Sequence, residues 1–293
     1  TIRVFINGFG RIGRTLLRIL ARGQHPGIEI VGINDIEPLE TCAYLFEYDS
    51  VFGAYSGQVA VADGRFPPDG RPIAFHDAHD LTALDLGSVD VVLECTGMAG
   101  TRAMAERGLS AGARSVLISG PSAEADVTLV MGANAHLLGD QRIVSNASCT
   151  TNALAPLLRV LDAEYGLTSG HMTTVHCYTG SQPTVDKPRG DLARSRAAAL
   201  SMVPTTTSAQ RLIDQVLPHL AGRVEARDGV GEALHQGRGQ DAHLGVRESL
   251  AVGDSCSNLN TSLGSVLTSD EAANSSATIE SAKYVFEEVS YSH

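Results

Sequence analysis

The chain has 293 residues, 43% hydrophobic and 19% charged, with a net charge of −11. That composition is expected of a water-soluble globular protein large enough for two domains. The acidic balance argues against general nucleic-acid affinity, and no apolar run reaches the ~18 residues that a membrane helix needs.

The sequence opens on a strand-like segment, so no signal peptide is expected. The five cysteines (Cys42, Cys95, Cys149, Cys177, Cys256) are odd in number and show no CxxC or zinc-type spacing. Reduced thiols in a cytoplasmic setting, with no metal site, are the expectation.

Ile2-Arg3-Val4-Phe5-Ile6 reads as a short strand. It runs into Asn7-Gly8-Phe9-Gly10-Arg11-Ile12-Gly13-Arg14 and then an amphipathic helix, Thr15 to Ala21. In such a unit Gly8 allows the tight turn. Gly10 lets the backbone approach a pyrophosphate at the helix N-terminus, and Gly13 permits close helix–strand packing. A second strand, Ile28 to Ile33, ends in Asn34-Asp35. Asp35 stands about 20 residues beyond the glycines, where a carboxylate accepts from adenosine ribose hydroxyls and repels a 2′-phosphate. The cofactor this predicts is NAD rather than NADP; a solvated Asp at a strand end is the alternative.

Further strands are expected over Val89 to Cys95, Ser115 to Ser119, Leu129 to Met131 and Arg142 to Ser145. Helices are expected over Glu40 to Glu47 and Thr101 to Ala111, and a hairpin or excursion over Asp63 to Gly70. Alternating strands and helices predict a doubly wound parallel sheet. Thr96-Gly97 and Ser119-Gly120 follow strand C-termini, the edge where such sheets bind ligands.

Cys149 lies in Ser145-Asn146-Ala147-Ser148-Cys149-Thr150-Thr151-Asn152, directly before a helical apolar pattern. At a helix N-terminus the unpaired N–H groups and the dipole favour thiolate over thiol, which makes Cys149 a candidate nucleophile rather than a buried hydrophobe. Met172 to Thr179 alternates as a strand does, with His176 near its end, either an acid/base partner for a thiol or a packed strand histidine. Residues 182–199 form a long loop with Lys187, Arg189, Arg194 and Arg196, suited to anions or simply solvated. Pro204-Thr205-Thr206-Thr207-Ser208 precedes a helix, Ala209 to Leu220, whose start offers hydroxyls to a phosphate or to the helix itself.

Taken in order, these motifs resemble phosphorylating glyceraldehyde-3-phosphate dehydrogenase over residues 2–223. The resemblance implies a Rossmann domain over 1–148 and an α+β catalytic domain with a mixed sheet over 149–293. It implies Cys149 as nucleophile and His176 as base, acting through a thiohemiacetal and a thioester. It further implies cofactor contacts at Asn7, Gly8, Phe9, Gly10, Arg11, Ile12, Gly13, Asp35, Thr96, Gly97 and Ser119. Ser148, Thr150, Thr207 and Arg194 match positions around the attacking inorganic phosphate, and Thr179 the phosphate of the aldehyde substrate. A cytoplasmic homotetramer is implied, with the 182–199 loop beside a neighbour's cofactor site. Erythrose 4-phosphate or another aldehyde as substrate, or a non-catalytic NAD-binding or redox-sensing role, are the alternatives.

The chain departs from the family at Gly180, where an Asn usually touches the nicotinamide, at Ser181, usually Asp, and at Ser208, usually Gly. Residues 224–293 lack the family's Arg-Val-Pro-Thr and Trp-Tyr-Asp-Asn-Glu-Trp-Gly motifs, and the chain has no Trp. They are expected to hold few long strands and a short helix over Ala277 to Val289.

Overall fold

Val4, Phe5 and Ile6 are all buried, so the first strand is covered on both faces, as a central strand of a parallel sheet must be. The computed structural model describes residues 1–230 except 24, 62, 63, 67, 68 and 70; the side chains at 175, 176 and 226–230 also lie outside the description. Cys256 and the helix expected over Ala277 to Val289 therefore fall outside the described residues.

The chain opens with β1 (Ile2–Asn7), α1 (Arg11–Ala21), β2 (Ile28–Asn34) and α2 (Leu39–Glu47). Two short antiparallel pairs follow, β3 (Tyr48–Asp49) with β4 (Gly53–Ala54) and β5 (Arg65–Phe66) with β6 (Ile73–His76). Next come β7 (Val91–Glu94), α3 (Arg102–Ala105), α4 (Arg107–Ser110), β8 (Ser115–Ile118), β9 (Val127–Thr128) and β10 (Ile143–Ser145). Eight strands form one sheet in the order β5-β6-β2-β1-β7-β8-β10-β9, parallel except for β5 with β6. The order reverses between β1 and β7, and that switch point is where such sheets bind ligands.

α1 packs Leu16, Leu17, Ile19 and Leu20 into the same core as β1 and β2. Each such side chain contributes about 1.5–3 kcal/mol through burial.

The second half holds α5 (Cys149–Tyr165), β11 (Gly170–His176), β12 (Val203–Thr205), α6 (Ala209–Val216) and β13 (Val224–Val230). β13 is the middle strand of a three-stranded mixed sheet, parallel to β11 from Gly170↔Val224 to His176↔Val230 and antiparallel to β12. Leu154, Ala155 and Leu158 of α5, Met172 of β11, and Leu212 and Ile213 of α6 share one core.

Several elements differ from expectation. Leu129 to Met131 is not a strand; the strand is Val127–Thr128. Leu129 packs in the core of the large sheet and Val130 in the core of the second half, so the apolar run joins two cores. The single helix expected over Thr101 to Ala111 is two one-turn helices meeting at Glu106. α6 stops at Val216, short of Leu220, because Pro218 disfavours helical geometry in Leu217 (φ −124°, ψ 72°). β11 ends at His176, leaving Cys177 to Thr179 in the loop beyond. β13 is a full strand at positions expected to depart from the family pattern.

Candidate active site

α5 begins with Cys149 itself, and Ser148 is its N-cap. The Ser148 hydroxyl accepts from the Thr151 N–H at 3.2 Å and lies 2.7 Å from the Thr151 hydroxyl. One turn further on, Asn152 Nδ2 donates to the carbonyls of Asn146 (2.7 Å) and Ser148 (3.0 Å). Between them Ala147 is left-handed at φ 57°, a conformation that costs a non-glycine residue ~1–3 kcal/mol and persists only where neighbours enforce it. Those neighbours are identifiable. Ser145 Oγ accepts from the Ala147 N–H at 3.2 Å and donates to the Gly120 carbonyl at 3.0 Å, while the Asn146 N–H donates to the Ile118 carbonyl.

This turn presents Cys149 at the surface, with its sulfur 4.0 Å from the Thr150 hydroxyl. Two other thiols are unsuited to attack. Burial, with Asp35 nearby, pushes the Cys42 thiol up to about 12. Burial, with Glu94 nearby, also raises Cys95 strongly.

The His176 side chain lies outside the description. α5 and β11 contribute to one core and are joined by four residues, 166–169.

The switch point of the large sheet forms the second part of the site. Gly8 (φ 93°) passes so close to the loop after β7 that an added Cβ would lie 2.6 Å from the Thr96 nitrogen. A Cβ on Gly13 would lie 2.3 Å from the Gly8 carbonyl oxygen. Gly10, the N-cap of α1, is different: a Cβ there meets nothing within 4 Å, and no side chain caps the helix. The first-turn N–H groups are thus left to an anionic ligand. Asp35, just past β2, accepts from the Phe9 N–H at 2.6 Å on Oδ2 and from the Glu37 N–H at 2.9 Å on Oδ1. Each oxygen keeps a lone pair for a ribose hydroxyl. This cradle fits the pyrophosphate and adenosine ribose of NAD.

Other expected site residues differ in what they offer. Phe9 gives only backbone to this loop, since its ring is buried against Phe46 and Phe66. Arg11 lies 3.7 Å from Asp49 without a hydrogen bond from its Nη1, while Ile12 sits half-buried in the first turn of α1. The Thr96 hydroxyl and N–H both donate to Glu94 Oε1, and Gly97 follows in the same exposed loop. Ser119 donates its N–H to the Glu94 carbonyl at 3.0 Å. Thr150 is buried apart from its contact with the Cys149 sulfur. The Thr179 hydroxyl is held in its own loop by Ser181 and Gln182 at 2.9 and 3.0 Å. Arg194 is exposed in a one-turn 3₁₀ segment, its N–H bonded to Asp191. Thr207 Oγ1 accepts from the Ala209 N–H at 3.1 Å, just ahead of the Ser208 N-cap of α6. Sequence reasoning missed Glu94 and Asn152; a lone acid closing an apolar strand was the available signal for the first.

Residues 2–102 match the family model described as glyceraldehyde 3-phosphate dehydrogenase, NAD binding domain. Residues 148–228 match the corresponding C-terminal domain. The chain belongs to the glyceraldehyde-3-phosphate dehydrogenase family. A glyceraldehyde-3-phosphate dehydrogenase of Xanthobacter flavus is 47% identical over 229 residues, 77% of this chain and 68% of the relative. One from Cereibacter sphaeroides is 46% identical over 226 residues, with the same shares. Glyceraldehyde-3-phosphate dehydrogenase 2 of Streptomyces avermitilis is 40% identical over 256 residues, 86% of this chain and 75% of the relative.

A member of this family carries an NAD-binding Rossmann-type domain and a C-terminal catalytic domain, and is an NAD-dependent dehydrogenase. The C-terminal match runs five residues past Arg223, into β13. Among the described residues no helix is long and apolar enough to cross a membrane.

Proposed function

We propose that the chain oxidises glyceraldehyde 3-phosphate with NAD and inorganic phosphate, giving 1,3-bisphosphoglycerate in glycolysis or gluconeogenesis. The observation that carries this reading is Cys149, exposed as the first residue of a side-chain-capped helix and held there by a strained turn.

Cys149 sulfur adds to the aldehyde carbon, and His176 manages the proton on the resulting thiohemiacetal oxygen. NAD, when bound, supplies the hydride acceptor for the oxidation; Asn7, Gly8, Gly10, Arg11, Ile12, Gly13, Asp35, Thr96, Gly97, Ser119 and the Phe9 backbone would hold it. On the far side of that oxidation a thioester joins the acyl group to Cys149. Phosphate attacks its carbon, the C–S bond breaks, and the thiolate is restored. Ser148, Thr150, Thr207 and Arg194 hold the attacking phosphate, and Thr179 the substrate's own. Asp35 selects NAD over NADP through the repulsion of a 2′-phosphate.

Residues 1–148 are the cofactor domain and 149–293 the catalytic domain. The working form is a cytoplasmic homotetramer. Support for assembly comes from Val185, Leu192 and Leu200, which are 72%, 91% and 86% exposed in and beside the 182–199 loop. The test is steady-state NADH formation. Glyceraldehyde 3-phosphate with phosphate should give a higher kcat/KM than erythrose 4-phosphate, and Cys149→Ser should abolish both; the reverse order of substrates would overturn the assignment.

A further inference from the structure

Glu94 ends the apolar strand β7 at the switch point and is only 3% exposed. Its hydrogen-bond partners among the described residues are neutral donors. Oε2 accepts from Asn7 Nδ2 at 2.6 Å; Oε1 accepts from the Thr96 N–H at 3.1 Å and from the Thr96 hydroxyl. Asn7 in turn accepts on Oδ1 from Asn34 Nδ2 at 2.9 Å. Asn34 also donates to the Ala78 carbonyl at 3.0 Å and accepts from the Ala78 N–H at 2.8 Å.

This relay has a direction. The Ala78 peptide cannot exchange its donor and acceptor, so it fixes which way the Asn34 amide faces. Asn34 then presents a proton to Asn7, and Asn7 must present a proton to residue 94. Thr96 presents donors from the other side. Residue 94 must therefore accept on both of its terminal atoms, which a carboxylate does and a glutamine amide does not. Gln at 94 would set one donor against another in a buried place.

The two partners that flank Glu94 lead into loops that meet. Asn7 leads directly into Gly8, and Gly8 lies against the Thr96 backbone with no room for a Cβ. We propose that Glu94 is a positioning residue that locks the Asn7–Gly8 turn against the Thr96 loop and so sets affinity for the nicotinamide cofactor. Glu94 acts through Asn7 and Thr96, and this inference rests on the assignment of those residues to the NAD site.

The test is calorimetric titration of NAD into the wild type, Glu94→Gln, Asn34→Ser and the double variant, with KM and kcat for the aldehyde alongside. Asn34→Ser breaks the relay at its other end and serves if Glu94→Gln does not fold. Each single variant should weaken NAD by ~5-fold or more, since loss of a buried hydrogen bond is worth about that much. The double variant should fall short of the product of the two effects. The aldehyde KM and the kcat at saturating NAD should stay within about threefold, as the altered contacts lie beneath the cofactor loops. NAD affinities within twofold of wild type, or additive effects, would overturn the proposal. A wild-type chain that does not bind NAD would overturn the functional reading and this inference with it.

Discussion

Asn152 Nδ2 donates to the Asn146 carbonyl at 2.7 Å, across the turn that carries Ala147 and Cys149. A side chain one helical turn inside α5 thereby fixes the backbone ahead of the nucleophile. Asn152→Asp keeps the shape but removes the donor and places a charge beside two carbonyls. It should lower kcat by ~10–100-fold and destabilise the fold by about 2 kcal/mol. Urea unfolding and steady-state rates check both; unchanged kcat would separate the turn from the chemistry.

Ala147 tests the strain directly. It is 1% exposed at φ 57°. Ala147→Gly relieves the left-handed strain while loosening the unfolded chain, so the two effects should cancel to within about 1 kcal/mol. Ala147→Val adds bulk in a buried, left-handed position and should cost about 2 kcal/mol or more. Equal stabilities for the two variants would contradict the conformation.

Arg18 is a buried guanidinium on α1, 7% exposed, lying over the adjoining rings of Phe46 and Tyr55. Its donors reach the carbonyls of Phe46, Glu47 and Gly53. Lysine cannot reproduce that planar fork, so Arg18→Lys should lose about 2–4 kcal/mol. A thermal melt should show the loss, with the NADH-forming rate of the folded fraction retained.

Asp49 gives the acid limb of stability a definable part. Burial raises its carboxyl, but the N–H groups of Phe52 and Val51, with Arg11 and Arg18, outweigh it and hold the group below the ordinary aspartate range. A depressed folded-state value adds stability above the unfolded value, and that stability is lost as pH falls through the folded one. Asp49→Asn should therefore be less stable near neutrality and show a shallower loss below about pH 4. Urea midpoints across that range decide it, and parallel curves would contradict it.

Much of the fold was legible because apolar runs in a parallel sheet stand out. Val4-Phe5-Ile6, Val91-Val92-Leu93 and Val116-Leu117-Ile118 read as strands and are buried strands. Ile73–His76 was not read, since four residues with a polar end carry little signal against the turn-rich stretch before them. β13 was missed for a related reason: Val-Glu-Ala-Arg-Asp-Gly-Val looks like loop, and its place is set by pairing with β11 and β12 on either side. Leu129-Val130-Met131 misled because its apolarity serves packing in two cores rather than a ladder. At the site, Cys149 and the glycine turn were legible from local chemistry. Glu94 and Asn152 were not, because their roles depend on partners up to 87 residues away or on carbonyls that no side-chain pattern records.

The most direct test of the central claim is the mass of the protein after mixing with glyceraldehyde 3-phosphate and NAD in the absence of phosphate, followed by peptide mapping. The account predicts one acyl group per chain, attached to Cys149, and its release on adding inorganic phosphate. An unmodified Cys149, or an acyl group on another residue, would contradict it.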